Sequence, residues 1–587
     1  MNKTSKLYLL QENLRNNDID FFVINRTDEF LNEYIAPYAE RLQWLTNFSG
    51  SAGKAIIAQK KAILFVDGRY TSQAKAQINA DEITLNHNNN FWKVLKNCCR
   101  SGKLIGLDPK LHSIDEITKF HEYVNDSNAK LIFLNINPID FVWKDQPAKK
   151  YAKIFDHPLN FAGLDRSIKI KSFQNSLKEQ KLDYYFLTSL DSIAWLLNIR
   201  GDDIKFTPIA FLYLIISKNE KPILYVSMDS LNQKLKKNLI KIIELKSINK
   251  IDFVFKKFLQ NKIIGMDFKN TAFYFYQLAV VAGLKIKNVN NPCLLPKAIK
   301  NPTEIEGARN AFIRDGVSLT KFLYWLKNTN DFSSLSEKSL AEKLFSFRKA
   351  NDFFHSLSFE SISAIGKNAA LPHYKVSQDS NSLLLKNSIY LIDSGAQYLD
   401  GTTDITRTII IGIPTEEQKD RFTRVLKGHI RLSSHVFKKG TKGTDIDYLA
   451  RESLNEIGYD YDHGTGHGIG SFLNVHEGPQ RIGKKNQFDS IKLAPGMILS
   501  NEPGYYKEGE YGIRIENILV IKEKDNATLE FENISWTPID KNLIIKKMLN
   551  DFEIKWVNNY HNKVYKFLVN FLNQEERKWL KYVTTPL

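Results

Sequence analysis

Cysteine is nearly absent from this chain: three residues in 587, Cys98, Cys99 and Cys293. That scarcity excludes a disulfide framework and a four-cysteine zinc site, and the adjacent pair lacks metal-clip spacing. Long apolar runs are missing too. The longest, 209–216, has eight residues, against the ~20 needed to span a bilayer. The stretch MNKTSKLYLLQENLRNN has no apolar core of secretory-signal length. No GxGxxG opens a helix and there is no Walker lysine, which argues against nucleotide binding. These absences predict a soluble, cytoplasmic protein with reduced thiols and no membrane partner.

What is present is a large, ordinary globular composition. Hydrophobic residues make up 43% and charged residues 25%, unlike a disordered chain. A length of 587 favours three or four domains. The 82 basic and 65 acidic side chains give a net charge of +17. Nucleic-acid binding usually shows as a localised patch or stripe. Here the lysines are spread along an Asn- and Ile-rich chain, so no nucleic-acid partner is expected.

The first half contains one arrangement twice. Ile19-Asp20-Phe21-Phe22, Trp44-Leu45-Thr46-Asn47 and Ile105-Gly106-Leu107-Asp108 are matched in order by Leu182-Asp183-Tyr184-Tyr185, Trp195-Leu196-Leu197-Asn198 and Ile264-Gly265-Met266-Asp267. The offset, roughly 155 residues, is too long for a solenoid repeat and predicts two related α/β domains. Strands are expected at 21–24, 62–66, 184–187 and 209–216, and helices over 6–16 and 169–180. Asp67-Gly68-Arg69-Tyr70 closes one strand. An arginine there can reach a carboxylate or a neighbouring subunit, though most such arginines form surface ion pairs. The segment 295–303 reads as a linker into a third domain starting near 297. Thr303 is the expected cap of its first helix, ahead of Glu304 and Glu306, and a second helix follows Ser336. The expected division is therefore 1–160, 161–296, 297–535 and a C-terminal extension, 536–587. In that extension Trp556, Tyr560, Phe567 and Phe571 keep helical spacing and suit a core or a subunit interface.

Histidine is rare, 12 in all, yet His463, His467 and His476 fall within one short stretch of glycine-rich sequence. Glycine spoils a helix interior, so this is not the His pair of an HExxH helix. Asp393 ends an apolar run, Asp404 follows eleven residues later, Glu502 precedes Pro503-Gly504, and Glu516 shares a run with Arg514. Asp393 and Asp404 read as strand positions, where Asp is disfavoured unless it has a task. One histidine and four carboxylates can hold a pair of divalent cations. Simple hairpin arithmetic falls short of this. With Asp400-Gly401 as the two-residue turn, Asp404 faces Gln397, and Asp393 lies ~13 Å further along that face at ~3.3 Å per residue. A bulge or wider loop within 396–403 is then required.

The strings LPHY (371–374), LIDSGAQYLDGTTDITRT (391–408), HGTGHGIGSFLNVHEGP (463–479), NEPGYY (501–506) and GIRIEN (512–517) closely resemble those of the Xaa-Pro aminopeptidases. These enzymes belong to the prolidase, creatinase and methionine aminopeptidase (M24) family. EYIAP (33–37), FSGSAGKAII (48–57), DGRY (67–70) and IAWLLNIRG (193–201) resemble the two non-catalytic domains of its long, three-domain form, and the resemblance extends into the tail. It implies two creatinase N-terminal-like α/β domains followed by a pita-bread catalytic domain. It also implies a homodimer that releases the first residue from peptides with proline second. Asp393, Asp404, His467, Glu502 and Glu516 would ligate two metal ions, typically manganese, with Asp404 and Glu516 bridging. A hydroxide between the ions would attack the bond before proline, with Glu502 as acid and base. His373, His463 and His476 would line the substrate pocket, His463 or His476 would steady the oxyanion, and Arg514 would hold the metal-site carboxylates. Arg69 would contact substrate in the assembled dimer. The alternatives are a prolidase acting on Xaa-Pro dipeptides, or a non-catalytic binding protein on the same fold.

Overall fold

The repeated strings become repeated structure. The computed structural model describes residues 5–99, 102–125, 127–256, 258, 260–329, 332, 334–376, 380–485 and 491–587. The first sheet contains β1 (Phe21–Asn25), β2 (Lys54–Ala58), β3 (Ala62–Val66), β4 (Ile83–His87), β5 (Leu104–Leu107) and β6 (Lys130–Phe133), in the order β4-β3-β2-β1-β5-β6. The second contains β7 (Tyr184–Leu187), β8 (Tyr213–Ser217), β9 (Ile223–Val226), β10 (Glu244–Ser247), β11 (Ile263–Met266) and β12 (Lys285–Asn288), in the order β10-β9-β8-β7-β11-β12. Both sheets have two antiparallel pairings followed by a parallel one on one side of the first strand, and two parallel pairings on the other.

Each repeated residue has a physical task. Asp20 and Asp183, just before the first strand of each sheet, accept the backbone N–H of Leu104 and Ile263, both at 2.9 Å. A Cβ on Gly106 would stand 3.2 Å from Ile19, and one on Gly265 would stand 2.9 Å from Leu182. Glycine therefore lets the fifth strand lie close beside the first. Asn47 and Asn198 end the two Trp-bearing helices in the left-handed conformation, φ 61° and 49°, which asparagine tolerates better than most residues.

The helix Lys6–Asn16 forms as expected. The second expected helix spans Arg166–Glu179, capped by Asp165. Within the apolar run 209–216 the ladder begins only at Tyr213. The chain divides into two compact units. One is Met1–Asp156 with Asp165–Cys293, and the other is His157–Leu164 with Leu294–Leu587. Inside the first, the Lys149 ammonium lies 4.4–5.5 Å from the rings of Phe211, Phe30, Tyr38 and Tyr151, and 2.5 Å from Glu29.

The first long helices of the second unit are α1 (Pro302–Asn328) and α2 (Glu337–Lys349). The cap of α1 is Asn301, not Thr303. Asn301 accepts from Glu304 N while Glu304 reciprocates, and Pro302, which needs no donor at the first helical position, follows. Leu319, Phe322, Leu323 and Leu326 of α1 and Leu340 and Leu344 of α2 are buried against Tyr390, Ile392 and Ile405. Beyond lie β13 (Ser388–Ser394), β14 (Ala396–Tyr398), β15 (Gly401–Thr402) and β16 (Ile405–Ile411), then β17 (Gly466–Gly468), β18 (Ile498–Asn501), β19 (Tyr511–Arg514) and β20 (Asn517–Glu523). Strands β13 and β16 pair in a three-stranded sheet. β17, β18 and β20 belong to a six-stranded one. Helix α3 (Glu416–Ser433) and α4 (Asp551–Leu568), in the C-terminal extension, pack into one core with Trp536, Tyr505 and Ile513. Tyr560, Leu568 and Leu572 are buried in it, whereas Phe571 is exposed. Among the described residues no helix is long and apolar enough to cross a membrane.

Candidate metal centre

The hairpin that carries two of the acids turns one residue earlier than its Asp-Gly pair suggests. Tyr398 pairs with Gly401, so Leu399 and Asp400 are the turn residues, and Gly401 takes the position after them. The same register runs back through Gln397↔Thr402 to Asp393↔Thr406. Asp404 therefore lies opposite Gly395, two residues from Asp393 rather than four. Such diagonal neighbours are ~7–8 Å apart between backbones, within reach of one metal site. The register is continuous, so the expected bulge or wider loop is not needed. Instead the hairpin passes from one sheet to another at Gly395, where a Cβ would stand 1.9 Å from Thr403 O and 2.3 Å from Ser358 Oγ.

Asp393 lies within β13, as expected. Asp404 does not sit in a strand, but in the break between β15 and β16. Glu516 occupies a second break, between β19 and β20, and Glu502 follows the end of β18. The acids gather where strands leave one sheet for another, because side chains from several directions can converge there. His467 enters from β17.

One ligand atom each of Asp404, His467 and Glu516 lie within 4.8 Å of one another. His467 Nε2 is 3.5 Å from Asp404 Oδ2 and 3.5 Å from Glu502 Oε1. The other ring nitrogen of His467, Nδ1, is 3.0 Å from Gly468 O. Donation there leaves the Nε2 lone pair facing the carboxylates, the tautomer a metal ligand needs. Arg514 Nη2 donates to Asp393 Oδ2 at 2.6 Å, and Thr406 Oγ1 donates to Glu516 Oε2 at 2.8 Å. The second oxygens, Asp393 Oδ1 and Glu516 Oε1, are buried without a hydrogen-bond partner. Buried carboxylate oxygens are costly in that state, and a divalent cation would satisfy both. The donor set of oxygens and one imidazole suits hard or borderline ions.

The electrostatics agree. Burial, then the charges of Glu516, Asp393 and Glu502, holds the Asp404 carboxyl far above the usual carboxylate range. Burial and the neighbouring Glu502 and Asp393 do the same to Glu516. Burial raises Glu502 to about 7, against the opposing pull of Arg514. Three acids that resist ionisation together form a site that cations would relieve.

The histidines divide. His476 lies against His467, ring centroids 4.4 Å apart and nearly perpendicular. His463 Nε2 is 2.9 Å from the Tyr506 hydroxyl and Nδ1 is 2.8 Å from Gly464 O. Tyr506 also accepts from Arg514 Nη1 at 2.7 Å, so Asp393, Arg514, Tyr506 and His463 form one chain. His373 lies in the turn after the 3-10 segment Gly366–Ala370, whose Ala369 O approaches Gly512 of β19 too closely for a Cβ. Arg69 belongs to the N-terminal unit, where its guanidinium makes two bonds to Asp67, 2.9 and 2.8 Å, beside the Tyr70 ring. Sequence reasoning missed Tyr506, Thr406 and Arg407. Each stands inside a motif that was noticed for its neighbours, NEPGYY or TDITRT.

Comparison with known proteins gives the arrangement its family. The metallopeptidase family M24 model matches residues 306–523, and the model for the C-terminal region of peptidase M24 matches 527–587. Two creatinase/prolidase N-terminal domain models match 6–134 and 145–304. A protein of Paracoccidioides brasiliensis named probable Xaa-Pro aminopeptidase P is 37% identical, covering 100% of this chain and 99% of its own. The chain belongs to metallopeptidase family M24. An Aspergillus fumigatus M24 relative of the same name is 38% identical, over 100% of this chain and 93% of its own. The crystal structure of X-prolyl aminopeptidase from Caenorhabditis elegans, described as a cytosolic enzyme with a di-nuclear active site, superposes with a TM-score of 0.94. It has 31% identity and full coverage of both chains. The Xaa-Pro dipeptidase from Bacillus anthracis matches at a TM-score of 0.52 and 26% identity, covering 64% of this chain and 99% of its own. The fold is thus two creatinase N-terminal domains followed by the M24 pita-bread domain, as the motifs implied.

Proposed function

We propose that this chain is a Xaa-Pro aminopeptidase, a dinuclear metalloexopeptidase that releases the first residue from peptides with proline in second position. The observation that carries the reading is the convergence of Asp393, Asp404, His467, Glu502 and Glu516 in a chain similar over its full length to enzymes of that name. Asp404 and Glu516 would be held in common by two divalent ions, with Asp393 for one and His467 and Glu502 for the other. Manganese suits the set of four carboxylates and one imidazole. Bound there, such ions would supply Lewis acidity and activate a water near neutral pH.

The chain's own groups do the rest. Glu502 takes the proton of the attacking water and passes it to the nitrogen of the departing proline. Arg514 holds Asp393 and, through Tyr506, His463. His373, His463 and His476 line the substrate pocket. His463, held between Gly464 O and the Tyr506 hydroxyl, or His476, which packs against His467, would steady the oxyanion. The free α-amino group of the peptide would meet a carboxylate of this site or its metal, which would limit cleavage to the first bond. Arg69 contacts substrate in a homodimer, and the protein works in the cytoplasm, as does its C. elegans relative. Residues 1–160, 161–296, 297–535 and 536–587 are the working divisions of the chain.

Similarity over the full length to proteins named Xaa-Pro aminopeptidase P and X-prolyl aminopeptidase favours the aminopeptidase over a prolidase. Manganese-loaded protein should cleave Arg-Pro-Pro well and Gly-Pro poorly. The reverse order would reassign it as a prolidase, and no cleavage of either peptide would leave the binding-protein alternative.

A further inference from the structure

Arg407, in β16, is almost completely buried, at 1% exposure. Every acceptor it meets among the described residues is neutral. Its Nη1 donates to Glu516 O at 2.7 Å and Thr406 O at 2.9 Å. Its Nη2 donates to the Tyr560 hydroxyl at 2.6 Å, Asn517 Oδ1 at 2.8 Å and Thr537 O at 2.9 Å. Nε reaches Thr537 O and Pro538 O at 3.3 and 3.2 Å. A buried guanidinium with no carboxylate against it is a poor stability device. What it does do is hold the backbone carbonyls of residues 406 and 516 on one rigid fork. Those two residues are already joined by Glu516 N to Thr406 O, 3.2 Å, and by the Thr406 hydroxyl on the Glu516 carboxylate. Thr406 follows Asp404 by two positions, so the fork fixes the spacing of the two acids proposed to bridge the ions.

Tyr560 holds the fork from behind. It comes from α4, and its hydroxyl takes the Arg407 N–H while donating to Thr537 O at 2.8 Å. Trp556, one turn earlier, stacks on the Tyr560 ring at 5.4 Å with 2° between the planes. Such rigid aromatic packing leaves the hydroxyl one location.

We propose that Arg407 and Tyr560 are positioning residues of the metal centre, through which helix α4 sets the distance between the Asp404 and Glu516 carboxylates. This rests on the dinuclear reading above. The test uses the full-length protein, stripped with chelator and titrated with free Mn2+, with bound metal counted by mass spectrometry. The variants are Tyr560→Phe, which removes only a hydroxyl, Arg407→Lys, and Leu580→Ala as a packing control in the same C-terminal core. Outer partners of metal ligands are typically worth ~10–100-fold in affinity. Tyr560→Phe is expected to need ~10-fold more free Mn2+ for half occupancy and Arg407→Lys up to ~100-fold. Leu580→Ala should melt at least as early as Tyr560→Phe yet fill at the parent's concentration. Variants at 407 and 560 that fill like the parent, or a control that weakens equally, would overturn the relay while leaving the dinuclear site standing. A parent that takes up no Mn2+ would overturn both.

Discussion

At the scale of single residues the site is a problem of unbalanced charge with a built-in answer. Four acids face one histidine, and two of them expose a buried oxygen with nothing to bond. Arg514 supplies part of the balance, to Asp393 on one arm and to Tyr506 on the other. Because those arms diverge, Arg514→Lys cannot replace both; a lysine is a point donor, not a fork. We expect that variant to bind Mn2+ ~10–100-fold more weakly, read by equilibrium dialysis, with loss of the Tyr506 contact slowing turnover further. Glu502→Gln keeps shape and one ligand oxygen but loses the proton acceptor. With its metal content matched to the parent, kcat on Arg-Pro-Pro should fall by ~10²–10⁴. An unchanged kcat would remove Glu502 from the proton transfer. The motif-bearing residues could be read from the sequence because Asp, Glu and His in apolar or glycine-rich surroundings stand out. Tyr506 and Arg407 did not, since an aromatic or an arginine in a strand has many commonplace tasks, and only distances reveal theirs.

At the scale of elements, the hairpin from β13 to β16 decides whether a site exists. Its register puts Asp404 opposite Gly395, and the sheet change at that glycine leaves no room for a side chain. Gly395→Ala would drive a methyl group into Thr403 O, next to Asp404. The expected result is lower melting temperature together with lost metal binding, seen in one thermal titration with and without Mn2+. Retention of both would show that the bend is pliable. Helix α1 offers a milder test. Asn301→Ala removes a reciprocal cap and should cost about 1 kcal/mol in denaturant unfolding, with activity unchanged. Two of the errors at this scale have one cause. Asp400-Gly401 and Thr303 are each an acceptable turn or cap taken alone, but a neighbour one or two positions earlier does better. Glycine can follow a turn as well as occupy it, and Pro302 makes Asn301 the natural last residue before the helix. The duplicated sheets were legible because each repeated residue, Asp20 and Asp183 or Gly106 and Gly265, has the same local task in both copies.

At the scale of the molecule, stability and metal content are linked through pH. Without cations, Asp404 and Glu516 are held far above the carboxylate range and Glu502 near 7, chiefly by burial. In the unfolded chain the same acids ionise near 4. The folded protein therefore holds more protons than the unfolded one over that interval, and stability falls as pH rises through it. Two other buried groups work in the opposite sense. His429 is lowered to about 3 by burial and by Arg407, and His561 to about 3 by burial, Lys541 and Arg407. Both stay neutral in the folded state, so the stability they contribute is lost as pH drops below ~6.5, the ordinary value for histidine. The metal-free protein is squeezed between these trends and should be most stable in mildly acidic buffer. Divalent cations remove the alkaline limb, because they take the place of the protons on the acids, and leave the histidine limb untouched. The gap between the melting temperatures with Mn2+ and with chelator should accordingly widen steadily from pH 5.5 to pH 8. A gap that stays constant across that range would mean that the four acids are not a metal site in this protein, whatever their arrangement.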